Sequence, residues 1–107
     1  MAIKRHIKLK AGNALVDNDD FSIPAGKTIV ISALDFSAPT GANAGVKVYV
    51  GDPTPNALIA LAQSDKYVLL PPGEGVIDGP MTIRCQLDNS NNPNGALLGV
   101  TIYYEDV

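Results

Sequence analysis

The residues of this 107-residue chain that could do chemistry are few. They are one histidine, His6, one cysteine, Cys85, the carboxylates Asp17, Asp19 and Asp20, the run IPAGKT at 23–28, and the asparagine-rich stretch LDNSNNPNGALLGV at 87–100. Asp88, Ser90 and Asn92 alternate as the oxygen ligands of a calcium loop would. Only one of the three is charged, however, and the twelfth position, where a bidentate Glu belongs, is Gly99. Asn and Gly accept left-handed backbone angles, and Asn side chains bond their own backbone. Asp88, Asn89, Asn91, Asn92 and Asn94, with Pro93 and Gly95, therefore read as the tip of a long hairpin, with a carbohydrate or partner contact as the second use. IPAGKT echoes the close of a phosphate-binding loop, but position 21, where the motif needs its first Gly, is Phe; the run reads as a turn entering a strand.

The remaining candidates point the same way. With no second histidine, His6 cannot anchor a histidine-based metal site, and a catalytic triad would have to recruit it from the first ten residues. Cys85 falls on the apolar side of MTIRCQL (81–87), where a free thiol packs as a small hydrophobe. VDNDDF (16–21) reads as a turn with solvated charge before a strand, not as an acid/base pair. The expectation is a protein with no catalytic residues, metal or cofactor.

The elements that must carry these residues are legible from alternation. Residues 3–10 alternate, with Ile7 and Leu9 on one side and Lys8 and Lys10 on the other. TIVISALDF (28–36) is β-branched and apolar on both faces, and GVKVYV (45–50) turns Val46, Val48 and Val50 inward. KYVLL (66–70), MTIRCQL (81–87) and LLGVTIYYE (97–105) repeat the signal. NALIALAQSD (56–65) fits a short helix capped by Asn56 or a buried strand, and strand is preferred because so short a helix is marginal. Pro and Gly punctuate between these runs every eight to twelve residues. The expected fold is all-β, one antiparallel, jelly-roll-like sandwich of about eight strands spanning residues 1–107, with residues 1–10 a basic N-terminal strand or arm.

Charge and composition bound the partners. Lys4, Arg5, Lys8 and Lys10 are half of the eight basic residues, leaving a body near −7 that would repel nucleic-acid phosphate. The interleaving of these cations with Ile3, Ile7 and Leu9 reads as an ordered strand with a solvated basic face. Charged residues make up 18% and apolar ones 46%, a lightly charged surface that suits assembly. MAIKRHIKLK lacks the apolar core of a secretory signal, and no run approaches the ~18 residues of a membrane span, so synthesis in a host cytoplasm with no membrane partner is expected.

The progression FSIPAGKTIVISALDF, GVKVYVGDP and GPMTIRCQLDNSNNPNGALLGVTIYYEDV resembles small β-sandwich virion proteins of tailed bacteriophages, notably capsid decoration or cement proteins and related fibre and tail modules. The resemblance implies a structural role on the capsid surface and a homo-oligomer, with a trimer favoured. It also implies attachment to the major capsid protein or another virion protein through an edge strand or terminal arm. On that expectation Ile3, Lys4, Arg5, Lys8 and Lys10 meet the capsid or a neighbouring subunit, complementary charge guiding register more than raw affinity. The alternative is a tail, fibre or carbohydrate-reading module that uses loops 37–45 and 88–95. Against it stands a thin supply of aromatic platforms, four Tyr and two Phe with no Trp.

Overall fold

The computed structural model describes residues 3–10, 16–38, 45–52, 54–88 and 98–107. Nine strands form two antiparallel sheets: β1 (Ile3–Lys10), β2 (Val16–Ile23), β3 (Thr28–Ser37), β4 (Gly45–Gly51), β5 (Ala57–Ala62), β6 (Lys66–Leu69), β7 (Val76–Asp78), β8 (Met81–Asp88) and β9 (Leu98–Asp106). The first sheet runs β1-β9-β3-β6, with the three-residue β7 also paired to β3; the second runs β2-β8-β4-β5. Apart from β7, these are the orders of a jelly roll, two Greek keys whose chain crosses between sheets at most connections. The all-β sandwich expected from alternation is the fold, and the 56–65 segment is the strand β5.

Alternation explains the core. The inner face of β9 supplies Leu98, Val100, Ile102 and Tyr104, and β3 supplies Ile29, Ile31, Leu34 and Phe36; these meet Val46 and Val48 of β4 and Ile83, Cys85 and Leu87 of β8. Each fully buried aliphatic or aromatic side chain contributes roughly 1.5–3 kcal/mol, so the central strands of both sheets hold the sandwich together. A bulge at Ser32 lets β3 keep Ile31 and Leu34 both inward: the register with β9 shifts between Ile31 and Ala33. The Pro24–Lys27 turn joins the two sheets. Lys27 N donates to Pro24 O at 3.2 Å, and Gly26 takes φ +82°, the positive angle that the third position of a type II turn requires.

Two expectations are corrected. VDNDDF is not a turn: residues 16–23 are β2, paired along their whole length with β8. Asp19 lies opposite Cys85 and Phe21 opposite Ile83, so Asp17, Asp19, Phe21 and Ile23 share the inner face while Asp20 points out. The basic face of β1 is solvated at Lys4 but turned inward at Lys8. His6 is paired with Ile102 and Lys8 with Val100, and directly opposed residues share a face. Because Ile102 and Val100 face the core, His6 and Lys8 turn inward at the sandwich margin. Ile7 and Leu9 turn outward, 53% and 50% exposed.

Candidate functional site

Strands β1 and β2 are the edge strands of their sheets, and their inward side chains close one side of the sandwich as a polar seam. Lys8 Nζ lies 3.3 Å from Asp17 Oδ2, and His6 Nε2 lies 3.1 Å from Asp19 Oδ2. The His6 contact lacks hydrogen-bond geometry, and its Nε2 is shut off from solvent. The imidazole stacks on Phe21 with ring centroids 5.1 Å apart, and Phe21 leans on Tyr104 at 5.2 Å. Below the seam, Asp20 on the outer face takes a two-pronged hydrogen bond from Arg84, 2.7 Å from Nε and 2.9 Å from Nη2. That contact, before any longer-range attraction, holds the Asp20 carboxyl below its ordinary range.

The fold thus gathers residues that the sequence scatters, a histidine, a carboxylate and a cysteine: Asp19 touches His6 and is the register partner of Cys85. Their state argues against a thiol nucleophile. An activated thiol needs a lowered pKa and partial exposure, whereas Cys85 is wholly buried and its thiol is pushed up to about 12, first by burial and then by the charge of Asp19. Among the described residues no group of three or more His, Cys, Asp or Glu is placed to hold a metal ion.

The residues expected to dock a partner fall into three groups. Lys4 is ion-paired with Asp106 at the end of β9, and Lys8 with Asp17, so two cations of the arm are matched within the chain. Arg5, opposite Tyr103, faces outward and is exposed; Ile3 and Lys10 are placed by backbone register alone, opposite Glu105 and Leu98. Of the asparagine-rich tip, Asp88 ends β8 opposite Val16 and Gly45. Asn89, Asn91, Asn92 and Asn94 lie outside the described residues, as do 39–44 of the other loop and Pro53.

The sequence reading missed the outward apolar side chains. Besides Ile7 and Leu9, Tyr67 and Leu69 of β6 are 58% and 71% exposed, and Leu58 and Leu61 of β5 stand half-exposed on the second sheet. Between β5 and the β6–β7 side a cavity of about 540 Å³ opens, lined by Ile59, Leu70, Val76, Ile77 and Met81, with Glu74 and Asp78 the charged residues of its lining. A period-2 pattern with apolar residues on both sides was the available signal for β5 and β6. No protein-family model, curated protein or solved structure matches the chain.

Proposed function

We propose that this chain is a virion structural protein of the tailed-bacteriophage type, a decoration or cement subunit that associates with copies of itself and binds the outside of a capsid. The observation that carries the reading is the surface: among the described residues, four large apolar side chains on the edge strands of the first sheet and three on β5, Leu58, Ile59 and Leu61, are two-fifths exposed or more. Surfaces of this kind mark interaction sites, because soluble monomers rarely leave contiguous apolar patches beyond a few hundred Å² bare. The jelly-roll order adds support at the level of fold, since viral capsid domains share it along with lectins and cupins. The internal pairing of Lys4 and Lys8 shifts the expected attachment from a charged arm to apolar burial, with Arg5 the outward cation of β1.

The test is co-sedimentation of the purified protein with intact and stripped particles of the virus whose genome carries the gene. Saturable binding to the particle surface that changes little between about 0.05 and 0.5 M salt supports the reading, since screening at the upper end reduces the reach of exposed charges to a few Å. Absence of binding to either particle overturns it. Binding abolished by salt, and by Gln at Lys4, Arg5, Lys8 and Lys10, returns attachment to the charged arm.

A further inference from the structure

The outer face of the first sheet is built the wrong way round for a surface meant for water. In an antiparallel sandwich the outward positions of an edge strand are normally polar. Here β1 sends Ile7 and Leu9 out and keeps His6 and Lys8 in. Register aligns the outward positions of the four strands across the sheet. Ile7 is level with Thr101, Asp35 and Tyr67, and Arg5 is level with Tyr103, Ala33 and Leu69. Apolar side chains therefore stand at both margins of one continuous face. Ala33, in the middle of that face, is 2% exposed because its taller neighbours already cover it.

We infer that this face is a twofold interface on which a second copy of the chain packs, sheet against sheet. Size supports the occupant. Strands β1, β9 and β3 are eight, nine and ten residues long and β6 is four. At about 4.8 Å between strands and about 3.3 Å per residue they make a face of roughly 500 Å². Two such faces bury about 1,000 Å², the threshold of a specific interface. Charge supports it as well. Among the described residues the face carries one cation, Arg5, and the carboxylates Asp35, Glu105 and, on β7, Asp78, which accepts a hydrogen bond from Thr28; Arg5, Asp35 and Glu105 have no ion pair among those residues. A twofold contact lets each copy's Arg5 meet a carboxylate of the other, whereas a purely acidic or purely basic foreign surface could match one sign only. Self-complementarity of a single patch is the defining property of a twofold contact.

The inference stands apart from the virion reading: a dimer without particle affinity leaves it intact, and a particle-binding monomer overturns it alone. Sedimentation equilibrium of the whole chain is the test, with circular dichroism to verify the fold of each variant. The wild type is expected to sediment at twice 11.2 kDa. Ile7→Thr with Leu69→Thr keeps strand-forming residues at both positions and is expected to raise the dimer dissociation constant by at least about tenfold. Arg5→Glu, at an exposed position, is expected to do the same, so the question survives misfolding of the double variant. Leu58→Thr on β5 is expected to change nothing. A wild type that stays monomeric at about 100 μM overturns the inference. So does a trimer, or an oligomer that Leu58→Thr dissociates and the face variants do not.

Discussion

Labelling of Cys85 separates a core residue from a reactive one, and the structure fixes the size of the effect. The thiol is wholly buried, and burial raises its pKa from an ordinary 9.0 to about 12. At pH 8 a thiol of pKa 9.0 is roughly one-tenth thiolate, and one of pKa about 12 roughly one part in ten thousand. Ionisation alone then slows alkylation about a thousandfold, before counting the opening that a buried sulfur needs. The assay compares iodoacetamide modification of the native chain with that in denaturant at the same pH. A native rate within tenfold of the denatured one refutes the reasoning. The same shift makes stability depend on pH. Below 9.0 both folded and unfolded states keep the proton, and its contribution is fully present. Between 9 and 12 the unfolded chain releases the proton first, so folding stability falls by about 1.4 kcal/mol per pH unit. Urea unfolding at pH 8, 10 and 11 should show this slope between pH 10 and 11 in the wild type, and Cys85→Ala should lose it. Cys85→Ser, which buries a hydroxyl, should cost about 1–3 kcal/mol.

Gly99→Ala would drive a Cβ into the Lys8 carbonyl oxygen and within 2.6 Å of Leu9 Cδ2, so β1 must separate from β9. The expected loss is about 2–4 kcal/mol from a few broken ladder bonds, with amide exchange accelerating first in β1; unchanged protection there would contradict the close approach. For Asp20, whose carboxyl is held low by Arg84, the contribution is present above the ordinary carboxylate value of 3.8 and disappears as pH falls through the lower folded value. Asp20→Asn should therefore unfold more readily than wild type near neutrality and converge with it in acid. Partial exposure of both side chains keeps the gap small.

The strands whose buried side was legible in the sequence are those whose inward positions are apolar without exception. Met81, Ile83, Cys85 and Leu87, and likewise Leu98, Val100, Ile102 and Tyr104, announce both a strand and its buried side. Strand β2 escaped because two of its four inward positions are carboxylates. A core face reading Asp17, Asp19, Phe21, Ile23 looks, to a pattern of hydrophobicity, like a polar turn followed by the start of a strand. The signal that would have found it is the match between two period-2 charge ladders: Asp17 and Asp19 repeat at the spacing of His6 and Lys8, and the ion pairs join them across the seam.

Strand β1 shows why alternation yields two faces and not which of them is inside. Turning it over would bury Ile7 and Leu9, a gain of at most about 1.5–3 kcal/mol each, and less at a sandwich margin. The same turn would carry His6 and Lys8 out to solvent and set Asp17 and Asp19 of β2 against aliphatic side chains, away from both partners. Two carboxylates left beside aliphatic side chains without these partners oppose that gain, so the carboxylates of a strand six or more residues downstream weigh on the direction of β1. Long-range pairing of this kind is absent from the local pattern of IKRHIKLK. It also leaves a debt on the outside: the face that satisfies β2 exposes Ile7 and Leu9 beside Arg5, on the same sheet surface as Tyr67 and Leu69. The acidic seam inside the sandwich and the apolar face outside it are thus two consequences of one register, and a change that frees β1 from Asp17 and Asp19 alters the outer face as well.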